Sequence, residues 1–233
     1  MLSYWRSVLF TIPLAFATTA ILIWISYILA LFDRRTVDPT FRFWARAVMR
    51  VCGARHRARG IETIDTSRNY IVVSNHLSLI DSPLLVYYLP LSIRFLAKKE
   101  LLKIPVMGGY MTRTGHIPID RSNPRAALES MNDAARKLRA SGHSVLIYPE
   151  GTRSMDGELQ EFKDGAAMLA LKSRLPVLPV AVVGTNRVLP AKGVVIRSAD
   201  VELRVGEAIT LDGHTRASLT AELHARVERL LAS

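Results

Sequence analysis

From Ser7 to Phe32 the chain carries no charged residue. As a helix, residues 8–32 would be about 37 Å long, and the hydrocarbon core of a bilayer is about 30 Å thick. Such a run is cleaved off, buried in protein or inserted in lipid. A secretory leader has a shorter apolar centre with a small-residue cleavage site near its end. Here Arg34 and Arg35 follow the run at once, and Ala15-Phe16-Ala17 comes too early. A helix buried in the protein is the second reading. The expected reading is a membrane helix, spanning or re-entrant, with Pro13 as the place for a kink or a division. Arg6 lies on one side and Arg34 and Arg35 on the other, so the positive-inside rule puts the C-terminal side in the cytoplasm.

Charge points the same way. The 233 residues carry a formal net charge of +11. The first sixty contain Arg6, Arg34, Arg35, Arg42, Arg46, Arg50, Arg55, Arg57 and Arg59 against only Asp33 and Asp38. An evenly basic chain would suggest nucleic acid. This excess instead abuts the apolar run, so the expected partner is a membrane with anionic lipid, and nucleic acid is not expected. Asp38-Pro39-Thr40 reads as a helix start. Beyond it Arg42, Arg46 and Arg50 share one face, and Phe41, Trp44, Val48 and Val51 the other. That pattern fits a helix lying in the membrane interface, and equally one covering the protein's own core.

The composition is 49% hydrophobic, which excludes wholesale disorder. A lone cysteine, Cys52, excludes an intrachain disulfide and a cysteine-cluster zinc site. No His/Asp/Glu group has metal-ligand spacing, so no metal is expected. After residue 54, strand-like and helix-like stretches alternate. Strands are expected at 71–74, 93–97, 117–119, 144–148, 177–183, 194–196 and 201–205, and helices at 83–89, 106–112, 124–140, 165–173 and 217–231. The alternation predicts an α/β fold with a mostly parallel sheet, whose ligand site lies beyond the strand carboxyl ends.

The run Ile71-Val72-Val73 ends in Ser74-Asn75-His76-Leu77-Ser78-Leu79-Ile80-Asp81-Ser82-Pro83. Ser82 before Pro83 reads as a helix cap; Ser78 with Asp81 reads as a capping box one turn earlier. Either way, the turn brings His76 and Asp81 together, Asp81 on one ring nitrogen and the other nitrogen free as a base. Alone, a histidine five residues before an aspartate more often marks a loop histidine beside a capping carboxylate. Three further segments add weight. Gly115–Arg121 and Tyr148–Arg153 each put an arginine past a strand, and two arginines grip a phosphate well. Residues 175–180 form an apolar strand containing Pro176 and Pro179. Lys98 and Lys99 read as exposed lysines, His116 as structural. Gly142-His143-Ser144-Val145-Leu146 lacks the last glycine of a nucleophile elbow.

In order and spacing, Asn75-His76-x4-Asp81, Gly115–Arg121, Glu150-Gly151-Thr152-Arg153 and the proline-bearing segment 175–180 resemble the four motifs of the glycerolipid acyltransferases. The resemblance implies a mostly parallel central sheet flanked by helices, with an N-terminal membrane-associated helical segment. Residues 1–53 are then the membrane anchor and 54–233 the catalytic domain. It implies that His76 is the general base and Asp81 its orienter. Arg121 and Arg153 would bind the acceptor phosphate, Gly151 and Thr152 would shape the loop, and Glu150 belongs to the same substrate-binding motif. Pro176 and Pro179 would shape a substrate channel. The implied reaction moves an acyl group from acyl-CoA or acyl-carrier protein to the free hydroxyl of 1-acyl-sn-glycerol 3-phosphate (lysophosphatidic acid), giving phosphatidic acid, with no cofactor. The implied location is the bacterial inner membrane, catalytic domain on the cytoplasmic side. Leu77 stands where many members have glutamine. That departure leaves the His/Asp pair intact and keeps two alternatives open, another lysolipid or amino-lipid acceptor and a non-enzymatic lipid-binding protein.

Overall fold

The computed structural model describes residues 2–104, 106–120 and 122–233. Helix α1 (Leu2–Arg6) runs through a π-helical turn, Ser7–Thr11, into α2 (Ile12–Phe32). Pro13 has no N–H for the helical ladder, and the wide turn lies directly before it, so the chain stays helical through the proline. By length and composition this is the one helix among the described residues able to cross a membrane. It exposes Phe16, Trp24 and Phe32 and buries Ser26 and Ala30.

That buried side is fastened to the rest of the protein. The Ile196 N–H donates to Ser7 Oγ at 2.9 Å, and Arg113 Nε donates to the Ala30 carbonyl at 2.7 Å. A short 3-10 turn, Arg34–Thr36, leads into α3 (Val37–Val51), which returns along α2. Trp44 Nε1 reaches Thr19 Oγ1 at 3.1 Å, and Thr40 Oγ1 reaches Ser26 Oγ at 3.0 Å. The apolar face of α3 covers the core: Val48, Met49 and Cys52 share one cluster with Val72, Leu84 and Leu146. Its arginines Arg42, Arg46 and Arg50 stay exposed. Packing is therefore continuous across residue 53.

The rest alternates as β1 (Arg55–Arg59), β2 (Ile71–Ser74), α4 (Asp81–Tyr88), β3 (Ile93–Lys98), α5 (Met107–Thr114), β4 (Ile117–Ile119), α6 (Pro124–Ala140), β5 (Ser144–Ile147), α7 (Gly165–Ser173), β6 (Val177–Val183), α8 (Thr185–Val188), β7 (Asp200–Val205) and α9 (Arg216–Ala232). The seven strands are ordered β1-β7-β6-β2-β5-β3-β4. The five from β6 to β4 are parallel; β7 pairs antiparallel with β6 and carries β1 parallel to itself. The sheet is thus mostly parallel with a reversed edge.

Strand alternation assigns the two faces. Val72 points to the α3/α4 layer, while Ile71 and Val73 point to α6, α7 and α9 with Leu138, Leu169 and Leu223. β2 lies at the centre, buried on both faces, and its carboxyl end delivers residues 75–82.

Two local expectations change. Residues 194–196 form no strand, because their backbone pairs elsewhere: Ile196 gives its N–H to Ser7 and receives Arg6 and Ser7 at its carbonyl. β1 replaces it at the sheet edge. Its arginines face outward while His56 and Ala58 face inward, and charge on an edge strand discourages pairing with other chains.

Candidate active site

Strands β2 and β5 deliver the site. β2 ends at Ser74, and Asn75, 1% exposed, continues its pairing with a side chain: Nδ2 donates to the Val182 carbonyl and Oδ1 accepts the Val182 N–H. The chain then turns sharply at His76. Helix α4 begins at Asp81 with Ile80 in the cap position and no side-chain cap, midway between the two expected starts.

His76 Nδ1 and Asp81 Oδ2 lie 2.8 Å apart. The same oxygen accepts the backbone N–H groups of Leu77 at 2.7 Å and Ser78 at 2.8 Å. Three donors converging on one fully buried oxygen suit a carboxylate in the first turn of a helix. The other oxygen, Oδ1, is buried without a partner among the described residues. With Nδ1 engaged, imidazole Nε2 has no partner among the described residues, and the side chain is 19% exposed. The serines nearby are taken up elsewhere, Ser78 Oγ donating to the Leu189 carbonyl and Ser82 Oγ pairing with the Tyr148 hydroxyl. Among the described residues, neither serine is bonded to the imidazole.

The loop after β5 supports this pair from the other side. Glu150, 4% exposed, accepts the His76 N–H at 2.7 Å, and the Ser154 N–H donates to the His76 carbonyl at 2.8 Å. Both backbone groups of His76 are thereby held by one loop. Burial pushes the Glu150 carboxyl up to about 7; the His76 N–H pulls it down, and the charges of Asp81 and Asp156 push it up further. Glu150, expected among the substrate-binding residues, thus sets Oε1 on the histidine backbone, while Oε2 is buried without a partner among the described residues.

The remaining expected residues are placed as follows. Gly151 takes φ +79°, a conformation that favours glycine, and Thr152 beside it is exposed. Arg153 is half-buried and directly precedes Ser154, so the loop that clasps His76 also carries this arginine. Arg121 lies outside the described residues. Lys163, which the sequence reading missed, stands next to Gly151: a Cβ there would lie 2.9 Å from Nζ. Its only signal was position, just before the α7 run. Pro176 and Pro179 serve the sheet: the Pro176 carbonyl accepts from Ile71 and the Pro179 carbonyl from Gly206. Lys99 is exposed and paired with Asp120 at 3.3 Å. His116 is structural, its Nδ1 accepting the Phe95 N–H, and burial drives its pKa down to about 3.

Two hollows flank the catalytic loop. An apolar groove of about 170 Å³ runs between Leu79, Ile80 and Pro83 of the loop and Phe16 and Trp44 of the N-terminal helices. A cleft of about 320 Å³ lies on the other side, bordered by Tyr148, Gly151 and Lys163.

At the carboxyl end of the central parallel strand stands an imidazole oriented by a carboxylate, with no serine or cysteine bonded to it among the described residues. Comparison with known proteins supplies the class. Residues 55–183 match the family described as Acyltransferase, and the chain belongs to that family. It is 32% identical over 189 residues to the 1-acyl-sn-glycerol-3-phosphate acyltransferase beta of Homo sapiens, covering 80% of this chain and 68% of that protein. A 43% identical stretch of 121 residues links it to the 1-acyl-sn-glycerol-3-phosphate acyltransferase of Limnanthes douglasii, covering 52% of this chain and 43% of that protein. The chain thus spans less than half the length of that plant relative. The crystal structure of the 1-acyl-sn-glycerophosphate (LPA) acyltransferase PlsC from Thermotoga maritima superposes with a TM-score of 0.82 at 28% identity, over 96% of this chain and 94% of that one.

Proposed function

We propose that the protein transfers an acyl group from a thioester to the free hydroxyl of 1-acyl-sn-glycerol 3-phosphate, forming phosphatidic acid. The observation that carries the reading is the half-open imidazole: Nδ1 is committed to Asp81, and Nε2 has no partner among the described residues. Nε2 takes the proton of the acceptor hydroxyl as that oxygen attacks the thioester carbonyl. The C–S bond then breaks, and the leaving sulfur takes the proton back from the imidazolium. Asp81 holds the ring in register and stabilises its cation. General-base help of this kind is typically worth about 10²–10⁴ in rate. The names of the relatives support the acceptor, and the arginines Arg121 and Arg153 suit its phosphate.

The acyl donor is acyl-CoA or an acyl-carrier protein; both are anionic, and the basic surface suits either. The groove beside Leu79 and Ile80 suits an acyl chain. The protein works at a membrane, the bacterial inner membrane in this reading, with the catalytic domain on the cytoplasmic side. Because hydrogen bonds fasten the apolar helix near both of its ends, it rests on the domain and presents one face, with Phe16, Trp24 and Phe32, to a single leaflet.

The test offers purified protein labelled acyl-CoA or acyl-carrier protein with lysophosphatidic acid beside other lysolipids. Labelled phosphatidic acid is expected. Product only from a different lysolipid would move the acceptor assignment, and no product with any acceptor would refute the enzymatic reading.

A further inference from the structure

Tyr148, the residue that leads out of β5, has no part in the chemistry above, yet it touches His76 and the neighbour of Asp81. Its ring lies against the His76 imidazole with centroids 3.9 Å apart and planes inclined by 11°. Its hydroxyl lies 2.9 Å from Ser82 Oγ, and Ser82 follows Asp81 in the first turn of α4. Burial, with the nearby charge of Asp81, holds the phenol well above the ordinary tyrosine value. The hydroxyl therefore stays protonated and able to donate.

We propose that Tyr148 and Ser82 form a clamp that positions His76, the tyrosine ring fixing the imidazole plane and its hydroxyl tying the end of β5 to the helix turn that carries Asp81. The inference rests on the reading of His76 as the base. A single hydrogen bond from Nδ1 to Asp81 fixes one edge of the imidazole and leaves the ring free to rock about that bond. A parallel aromatic face removes the freedom. The same face favours the cation that forms when Nε2 takes its proton, since a positive charge within about 6 Å of an aromatic centroid is attracted to the ring. The hydroxyl adds what a phenylalanine would lack. It ties together two segments from different strands, the loop that holds the His76 backbone and the helix that holds its carboxylate. A reacting group displaced by about 1 Å costs on the order of 100-fold in rate, so a tether worth one ordinary hydrogen bond is felt in turnover.

The experiment measures steady-state acyl transfer by the full-length protein in mixed micelles for wild type, Tyr148→Phe, Ser82→Ala, the Tyr148→Phe/Ser82→Ala double variant, Tyr148→Leu and His76→Ala. Tyr148→Phe and Ser82→Ala should each lower kcat about three- to tenfold, the range that one net hydrogen bond supports, with KM for donor and acceptor unchanged. The double variant should lose no more than either single one, because both remove the same contact. Tyr148→Leu should lose about tenfold more than Tyr148→Phe, because only the phenyl ring restores the stack.

Wild-type kcat in both Tyr148→Phe and Ser82→Ala would overturn the tether. Additive losses in the double variant, or losses in KM alone, would do the same. Equal kcat for Tyr148→Leu and Tyr148→Phe would overturn the stack. Should Tyr148→Leu fail to fold, the near-isosteric Tyr148→Phe and Ser82→Ala still decide the tether. An active His76→Ala protein would refute the underlying reading of the base, a result distinct from all of these.

Discussion

Replacing Asp81 with asparagine separates the charge of the orienter from its shape. The side chain is fully buried, and Oδ2 receives His76 Nδ1 and two backbone N–H groups, while Oδ1 has no partner among the described residues. An asparagine that places its carbonyl oxygen at the Oδ2 position keeps all three bonds. Its NH₂ then occupies the Oδ1 position, buried and unpaired. Leaving a buried donor unsatisfied costs about 1–3 kcal/mol, and for a chain of this size each kcal/mol lowers Tm by about 2–4 °C. The loss in turnover is larger than that stability change suggests, because the imidazolium formed in the transition state loses its counter-charge. An asparagine in place of the aspartate of such a pair costs up to about 10⁴ in kcat where it also imposes the wrong tautomer. Asp81→Asn should therefore remain folded, with Tm a few degrees lower, KM for lysophosphatidic acid little changed and kcat down by at least about 100-fold. Thermal unfolding and initial rates on the same preparation check both halves. A folded Asp81→Asn protein within threefold of wild-type kcat would refute the role given to the carboxylate.

Glu150→Gln tests the buried carboxyl behind the histidine. Its folded-state pKa of about 7 exceeds the ordinary 4.5, so between those values the folded protein holds a proton that the unfolded chain has released, and stability falls as pH rises through that window. The glutamine still accepts the His76 N–H and should remove that part of the fall, of order 3 kcal/mol at most; urea unfolding at pH 5 and pH 8 with an unchanged pH dependence would contradict this. Gly151→Ala places a Cβ at φ +79°, which should cost about 1–2 kcal/mol and lower kcat/KM by shifting the loop that carries Arg153; an alanine variant with wild-type kcat/KM and Tm would argue against a strict loop shape. Membrane attachment should be lost when Phe10, Phe16, Trp24 and Ile28, all exposed, are replaced together by serine, with Tm preserved; continued sedimentation with vesicles would contradict the assignment of that face. Truncation at residue 54 would remove Met49 and Cys52 from the core, so it should abolish cooperative unfolding rather than release a folded domain.

The central strands were legible because each is a short run of β-branched or apolar residues ended by a polar turn: 71–74, 93–98, 117–119 and 177–183 emerge almost as the sequence predicts. Helix α6 emerges over the expected 124–140, and the Asn123 side chain caps it, accepting the Ala126 N–H. β1 was hidden because an edge strand of alternating arginines shows no apolar run. Residues 194–196 looked like a strand and became the seat of the N-terminal helix, a tertiary pairing to which local pattern is blind. The His76/Asp81 pair was legible because both residues lie on one turn. The partner of Glu150, the stack of Tyr148 on His76 and the place of Lys163 were not. The first two depend on β2 and β5 being neighbours, and strand order follows from the packing of the whole sheet; the third depends on the loop after β5 folding back on itself, the Lys163 N–H donating to the Pro149 carbonyl. The face of α3 that covers the core was ambiguous for the same reason, since 3.6-residue periodicity does not say whether lipid or protein lies opposite.

The most direct measurement is acyl transfer from a labelled acyl thioester to lysophosphatidic acid by wild type and His76→Ala, each shown to be folded. The account predicts labelled phosphatidic acid from wild type and a loss of at least about 100-fold in the variant. Undiminished transfer by His76→Ala would contradict it.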